Sequence, residues 1–191
     1  MKCLICARFC LGVLCEGCLD SIVLTPRKRV VSGVTIYTFF AYEDIDFLLS
    51  SKYYAIGSRI FTHLSRIASA YFFRQKTDFS GIYGVGIDDY VRSFYSHTGV
   101  ILKHFCQSGI RPIYGQLRAQ NVISYAGKSL EYRQNNKRDL LYSAKAKDVM
   151  IVDDIITTGT SFGEAIDVCQ RSGARVHFGI ALCDARSAEV V

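Results

Sequence analysis

Hydrophobic positions recur along the chain with two different spacings, and these spacings predict an alternation of helices and strands. Apolar residues three or four positions apart, such as Ile56, Ile60 and Leu64, are typical of one face of an amphipathic helix. Short apolar runs rich in Val, Ile, Tyr and Phe are typical of buried strands. The predicted helices span about 57–75, 88–107 and 162–171. The predicted strands span 30–41, 81–87, 149–152 and 174–182.

Strands that alternate with helices favour an α/β domain, in which helices cover both faces of a mostly parallel sheet. We place this domain at residues 30–191 and a small cysteine-rich unit at residues 1–24. A chain of 191 residues, of which 50% are hydrophobic and 21% charged, is long and apolar enough for one such core. No apolar run reaches the roughly 18–20 residues that span a bilayer, so we expect no membrane span.

The densest group of candidate functional residues follows the apolar run at 149–152. Asp153 and Asp154 come directly after it, and ligands bind at the carboxyl ends of strands in open α/β sheets. Adjacent carboxylates can accept hydrogen bonds from a sugar diol, or hold Mg²⁺ directly or through water. The hydroxyl and backbone N–H groups that follow, at the start of a helix, suit a phosphate, so we predict a ribose 5-phosphate site. The residues of this phosphate loop are Thr157, Thr158, Gly159, Thr160 and Ser161.

Four cysteines near the N-terminus form two pairs, Cys3 with Cys6 and Cys15 with Cys18. Each pair is separated by two residues and can supply one edge of a tetrahedral zinc site. Four thiolates leave no open position for water, so we predict a structural zinc ion and no metal catalysis there. Two disulfides or an iron–sulfur site are the alternatives, and Cys10 could replace a neighbouring ligand.

The positive charge of the chain is concentrated in one segment. The net charge is +6, and residues 111–147 hold eight Lys or Arg residues and two acidic ones, so this segment carries the entire excess. Tyrosines are interleaved with the cations, a composition that suits a polyanion or a single-stranded nucleic acid. A solvated surface loop is the alternative. The candidate nucleic-acid contacts are Arg27, Lys28, Arg29, Arg118, Arg133, Lys137 and Arg138.

Residues 149–161, VMIVDDIITTGTS, resemble the phosphoribosyl diphosphate (PRPP) motif of the type I phosphoribosyltransferases at all thirteen positions. The resemblance implies a type I phosphoribosyltransferase-like fold for the main domain. It also implies that Asp153 and Asp154 meet the ribose hydroxyls, that residues 157–161 hold the 5-phosphate, and that Mg²⁺ accompanies PRPP. The sequence identifies no general acid or base, because its four histidines are scattered, and His97 is the first to test.

A four-cysteine knuckle combined with a PRPP motif resembles the ComF (ComFC) competence proteins. Lys52-Tyr53 stands where that family has a Lys-Phe segment, and residues 92–96 stand where it has Arg-Gly-Phe-Asn-Gln, without its glycine and asparagine. Arg133 and Asn136 match a later Arg and Asn of the family. The resemblance implies a role in natural transformation (DNA uptake). PRPP or a related phosphosugar and single-stranded DNA would then bind on the cytoplasmic side of the inner membrane, beside other proteins of the uptake machinery.

We accordingly expect a cytoplasmic protein that could associate peripherally with the inner membrane. Arg8 interrupts the N-terminal apolar stretch and no small-x-small cleavage pattern follows, which disfavours a cleaved secretion signal. Two other functions fit the same residues. An active phosphoribosyltransferase would transfer the phosphoribosyl group to a base or similar nucleophile, and a regulatory sensor would bind PRPP without DNA.

Overall fold

The structure, a computed structural model, describes residues 1–74, 78–91, 94–121 and 139–186. Nine strands lie in these ranges: β1 (Arg27–Val31), β2 (Val34–Thr38), β3 (Phe40–Ala41), β4 (Tyr83–Gly86), β5 (Arg111–Pro112), β6 (Leu117–Ala119), β7 (Leu140–Tyr142), β8 (Asp148–Ile156) and β9 (Arg175–Asp184). The same ranges contain the helices α1 (Glu16–Asp20), α2 (Tyr42–Ser50), α3 (Gly57–Phe72), α4 (His97–Phe105) and α5 (Thr160–Arg171). A 3-10 turn at Ser51–Tyr53 joins α2 to the segment before α3.

Seven of the described strands form one mixed sheet in the order β1-β2-β9-β8-β4-β5, with β3 also paired to β9. The β1–β2 pair is antiparallel, and the other pairs in this sheet are parallel. The strands β6 and β7 form a separate antiparallel pair. A mostly parallel sheet flanked by helices confirms the predicted α/β class.

Helices cover both faces of the sheet, and side chains alternate between two buried clusters along β8. Met150 and Val152 join the cluster that contains residues of α2, α3 and α4. Val149 and Ile151 join the other cluster, which contains residues of α5 and of the β6–β7 pair. A strand buried on both faces is apolar at successive positions, which is why the run before Asp153 could be recognised in the sequence. In the part of the chain that the structure describes, no helix is long and apolar enough to cross a membrane.

The predicted strand at 30–41 is wrong as a single element. The chain turns back at Ser32 and Gly33, whose φ values are 48° and 78°, and β1 pairs antiparallel with β2 across this turn. Positive φ at both central residues is typical of the tight hairpin turns that match the twist of a sheet. Arg27 and Lys28, two of the predicted nucleic-acid contacts, therefore belong to an edge strand.

The predicted helix at 88–107 is also too long, since α4 begins only at His97. Asp88 and Phe94 have φ values of 52° and 79°, which an α-helix does not allow. Ser96 caps α4, because its side chain accepts a hydrogen bond from the backbone N–H of Gly99. Apolar periodicity thus overestimated the helix, and residues 87–91 and 94–96 form a loop beside the carboxyl end of β8.

The cysteine knuckle, residues 1–24, packs against the main domain. Cys3, Val13, Leu14 and Cys18 are buried in the same cluster as Phe39 and other residues of the sheet. The knuckle therefore shares its apolar core with the sheet.

Candidate functional site

Asp153 and Asp154 lie in the second half of β8, which extends to Ile156 and so beyond the predicted end at residue 152. Both side chains are buried, with 8% and 4% of the residue surface exposed. The carboxylate of Asp153 accepts a hydrogen bond from the backbone N–H of Asp154 at 2.9 Å. Buried carboxylates need partners, because removing an ionised group from water is costly. For Asp154, neighbouring cationic groups offset this desolvation cost.

Lys52 and His97 both approach Asp154 from the face of the sheet that carries α3 and α4. The Nζ of Lys52, in the 3-10 turn, lies 2.8 Å from Oδ2 of Asp154. The Nε2 of His97, the first residue of α4, lies 3.9 Å from Oδ1. Burial opposes ionisation of Asp154, but the charges of Lys52 and His97 outweigh it and hold the pKa of Asp154 well below its usual range. The attraction of Asp154, which exceeds the cost of burial, raises the pKa of Lys52, so the pair is ionised at neutral pH.

Tyr95 and Gly57 pack tightly next to this ion pair. A Cβ atom on Gly57 would clash with the backbone oxygen of Ser51 and the hydroxyl of Tyr95, so only glycine fits where α3 begins. Burial, together with the charge of Asp154 and against that of Lys52, raises the pKa of Tyr95 to about 12. Tyr95 belongs to the 92–96 segment of the predicted resemblance, in which Arg92 and Ser93 lie outside the described residues.

The phosphate loop connects β8 to α5. Gly159 precedes α5 with φ 88°, a left-handed conformation that glycine adopts without strain, and its carbonyl accepts from the N–H of Gly163 at 2.8 Å. The hydroxyls of Thr158 and Thr160 are 2.8 Å apart, and Ser161 follows in the first turn of the helix. The loop therefore sets hydroxyl groups at a helix N-terminus, where backbone N–H groups and the helix dipole favour an anion.

Arg29 of β1 supports the phosphate loop from the edge of the sheet. Its Nη1 donates to the carbonyl of Thr157, and its Nη2 donates to that of Thr158 at 2.9 Å. The carboxylate of Asp184, at the end of β9, lies 3.5 Å from the same guanidinium. Burial and the nearby charge of Arg186 lower the pKa of Arg29, and Asp184 opposes this effect. Arg29 was predicted as a nucleic-acid contact from its charge, and the contacts with residues 157 and 158 had no local signal in the sequence.

The loop that follows β4 reaches the same end of the sheet. The N–H of Ile87 donates to the carbonyl of Val152 at 2.8 Å, so the next residues lie beside Asp153. The buried carboxylate of Asp89 accepts from the hydroxyl of Ser96 and from the N–H of Gly115 at 2.8 Å. These bonds hold the loop in place, and they bring His97 towards Asp154.

His97, Asp153 and Asp154 form a group of potential metal ligands whose nearest donor atoms lie within 4.8 Å of one another. Oxygen ligands suit Mg²⁺, which keeps several waters and commonly binds together with substrate phosphates. Lys52 already pairs with Oδ2 of Asp154, so Oδ1 of Asp154, Asp153 and His97 are the donors left for a cation at this group.

Cys3, Cys6, Cys15 and Cys18 form a second group of potential metal ligands, and their sulfurs lie within 4.8 Å of one another. The sulfurs of Cys6 and Cys15 are 3.7 Å apart, close to the edge of about 3.8 Å in a tetrahedral zinc site with bonds of about 2.3 Å. The described cysteines are free thiols. In an iron–sulfur cluster the cysteine sulfurs bind different iron atoms and therefore lie further apart. Four sulfurs this close to one another favour a single metal ion. The predicted four-cysteine ligand set is thus brought together and fits zinc.

The thiols of the knuckle influence one another's ionisation. A hydrogen bond from the backbone N–H of Cys6, against the effect of burial, lowers the pKa of Cys3 to about 6. Burial and the neighbouring thiolates raise the pKa of Cys18 to about 12. Four thiolates repel one another without a metal, and a divalent cation relieves this repulsion. Cys10 lies outside the group, because its thiol donates to the carbonyl of Gly12 at 2.9 Å.

The candidate nucleic-acid residues fall into two sets. In the first, Lys28 and Arg118 are exposed on β1 and β6, and the guanidinium of Arg27 donates to the carbonyl of Arg186 at 3.0 Å. The second set, Arg133, Lys137 and Arg138, lies outside the described residues, as does Asn136. Their role in binding nucleic acid stays a prediction from charge and composition.

No protein-family model matches the chain, and no curated protein matches its sequence.

Proposed function

We propose that the chain binds PRPP or a related ribose 5-phosphate, accompanied by Mg²⁺, at the carboxyl end of β8. The main support is the convergence of Lys52 and His97 on a buried carboxylate pair that stands directly before the phosphate loop. Asp153 and Asp154 would accept hydrogen bonds from the ribose hydroxyls. Residues 157–161 would hold the 5-phosphate through hydroxyl and backbone N–H groups. Mg²⁺ would supply charge neutralisation for the diphosphate.

The cation at Asp154 has a specific part in this proposal. An unpaired carboxylate close to the phosphate loop would repel a phosphorylated ligand. Lys52 cancels the charge of Asp154 without occupying both of its oxygens, because the hydrogen bond reaches Oδ2 alone. The Lys52–Asp154 ion pair could thus accept a hydrogen bond from a hydroxyl group through Oδ1 of Asp154 without repelling a polyanion.

Titration calorimetry with ribose 5-phosphate and with PRPP–Mg²⁺ tests the binding site. Asp153→Asn and Thr158→Val should weaken binding at least about tenfold, since each removes a charged or hydrogen-bonding contact of roughly 1.4 kcal/mol or more. Asp167→Asn is the matched control, because Asp167 is an exposed acid on α5 that pairs with Arg171. Wild-type protein that binds neither ligand, while correctly folded by circular dichroism, would contradict the proposal.

We further propose that the protein handles single-stranded DNA in natural transformation, a role that the resemblance to ComF proteins implies. The support is the concentration of the net charge in residues 111–147 and the exposed cations on β1 and β6. In this role the protein would act on the cytoplasmic side of the inner membrane with other uptake proteins. The main domain would have the type I phosphoribosyltransferase-like fold, with its ligand pocket inside a DNA-handling protein.

Fluorescence anisotropy with a single-stranded oligonucleotide at several salt concentrations tests the DNA role. The double variant Lys137→Ala/Arg138→Ala should bind more weakly. Its salt dependence should fall by about 1.4 in logarithmic slope, because each phosphate contact to single strands contributes about 0.7. Lys103→Ala, which removes an exposed cation on α4, is the control. Unchanged affinity in the double variant would remove the basic segment from the proposal. Release of pyrophosphate from PRPP with one particular base would instead favour the transferase.

A further inference from the structure

We propose that Arg29 is a positioning residue that orients the phosphate loop for anion binding, an inference that rests on the proposed function. Arg29 belongs to the edge strand β1, 128 residues before the loop, and its side chain is only 13% exposed. Its guanidinium donates to the carbonyls of two successive residues, Thr157 and Thr158. The contact is therefore directed at the backbone of the loop and does not depend on the loop side chains.

The direction of these two carbonyls fixes the direction of the N–H groups that follow them. In a planar trans peptide, the C=O of one residue and the N–H of the next point in opposite directions. Because the carbonyls of Thr157 and Thr158 point to Arg29, the N–H groups of Thr158 and Gly159 point away from it. Those two N–H groups precede the first turn of α5, where an anion is favoured.

The guanidinium also removes an electrostatic conflict. Asp184 is buried with 5% of its surface exposed, and its carboxylate approaches the same guanidinium as the two carbonyl oxygens. Carbonyl dipoles and a carboxylate that face one another repel, and a cation between them turns the repulsion into attraction. The backbone N–H of Arg186 donates to the same carboxylate at 3.0 Å and helps to hold Asp184 in place.

The geometry favours arginine over lysine at position 29, and it leaves little space for a side chain at position 159. A planar guanidinium can donate to two acceptors at once, whereas the ammonium of lysine acts as a point charge. A Cβ on Gly159 would lie 3.2 Å from a methyl of Val31 and 3.7 Å from Nη2 of Arg29. The close approach of β1 and the left-handed φ of 88° both favour glycine there.

Binding of ribose 5-phosphate to full-length Arg29→Ala and Arg29→Lys variants tests the inference. We expect Arg29→Ala to weaken binding about tenfold or more, and Arg29→Lys to lie between Arg29→Ala and wild type. Guanidinium chloride at about 20 mM, far below the molar concentrations that unfold proteins, should restore binding by Arg29→Ala, whereas ammonium chloride should not. Arg175→Ala is the control, because Arg175 also pairs with a carboxylate, that of Asp148, but at the opposite end of the sheet.

The outcomes separate the inference from the proposed function. Wild-type affinity in Arg29→Ala, or weakened binding with a lowered melting temperature that guanidinium does not restore, would overturn the positioning role. If wild-type protein binds neither ribose 5-phosphate nor PRPP–Mg²⁺, the proposed function fails. The amide resonances of Thr158 and Gly159 then decide the inference, because they should shift in ligand-free Arg29→Ala and return with guanidinium. Unchanged resonances would overturn it.

Discussion

Lys52 and Asp154 are separated by 102 residues in the sequence, and their side chains form a 2.8 Å ion pair at the carboxyl end of β8. The carboxylate is buried and the lysine side chain is 25% exposed. The pair joins the turn before α3 to the strand that leads into the phosphate loop. It therefore serves the stability of the fold and the proposed binding of a phosphorylated ligand at the same time.

Removing the cation of this pair should destabilise the protein strongly. Lys52→Met leaves a buried carboxylate without its main partner, a change that costs about 3 kcal/mol or more. Chemical denaturation at neutral pH measures the loss in free energy of unfolding. Lys103→Met should have almost no effect, since Lys103 is exposed. The double variant Lys52→Met/Asp154→Asn should recover part of the loss, and a double variant as unstable as Lys52→Met would contradict an ionic origin.

The same variant should reverse the pH dependence of stability in weak acid. In the wild type the pKa of Asp154 is below its usual value of about 3.9, so the contribution of the pair is present above that pH and is lost as the pH falls through the lowered pKa. In Lys52→Met, burial favours the protonated acid and raises the pKa of Asp154 in the folded state. Its stability should then fall as the pH rises from about 4 towards neutrality. Melting temperatures across this range in both proteins provide the measurement, and parallel profiles would contradict the expectation.

Loss of metal from the knuckle should weaken the whole chain. Cys3 and Cys18 are buried together with residues of the sheet, so loss of a zinc ion held by the four cysteines would expose part of a shared core. Cys3→Ser and Cys18→Ser should abolish stoichiometric zinc and lower the melting temperature by about 5 °C or more, as expected for a loss of roughly 2 kcal/mol. Metal analysis and thermal unfolding measure both effects. Cys10→Ser should keep its zinc, and loss of zinc from this variant would place Cys10 among the ligands.

Two glycines on helices should respond to alanine in opposite ways. Gly57→Ala forces a methyl group against the backbone of Ser51 and the hydroxyl of Tyr95, and should cost about 2 kcal/mol or more. In Gly163→Ala the nearest atom is 3.6 Å away, an ordinary contact, so the reduced freedom of the unfolded chain should stabilise the protein by about 0.5–1 kcal/mol. Denaturant unfolding of both variants gives the two signs. Equal effects would show that the packing around Gly57 can relax to accommodate a methyl group.

The sequence predicted the elements whose pattern is local. The apolar run of β8 reflects a strand buried on both faces, and the apolar residues three or four positions apart in α3 reflect one buried helix face. Both patterns are local, so the two elements could be located from the sequence to within a few residues. The Asp153–Asp154 pair and the four cysteines were found for the same reason, because their ligand groups are close in sequence. The predicted strand at 149–152 was nonetheless too short, because the apolar run is interrupted by Asp153 and Asp154 whereas β8 continues through them to Ile156.

The elements that were predicted wrongly and the contacts that were not predicted depend on residues far apart in the sequence. Nothing near Lys52 in the sequence indicates that its ammonium donates to Asp154. Nothing near Arg29 indicates that its guanidinium donates to two carbonyls 128 and 129 residues away. The loop after β4 is a further example. Asp89 lies in the predicted helix at 88–107, but its carboxylate accepts a hydrogen bond from the distant N–H of Gly115, and the residues around it form a loop. Tertiary hydrogen bonds can override a helical pattern of apolar residues, and such bonds leave no periodic trace in the sequence.

The central place of β9 has a consequence for the order in which the molecule is built. β9 is the last described strand along the chain, yet it lies between β2 and β8 in the sheet. During synthesis, the hairpin of β1 and β2 therefore has no parallel neighbour until residues 175–184 have left the ribosome. Pairings of such long range form late, because closing the chain costs entropy before any contact compensates for it. Arg29 approaches Asp184 only after β9 has joined the sheet. If Arg29 orients the phosphate loop as proposed, the ligand site would be completed in the last step of folding, and incompletely folded molecules would not bind the ligand.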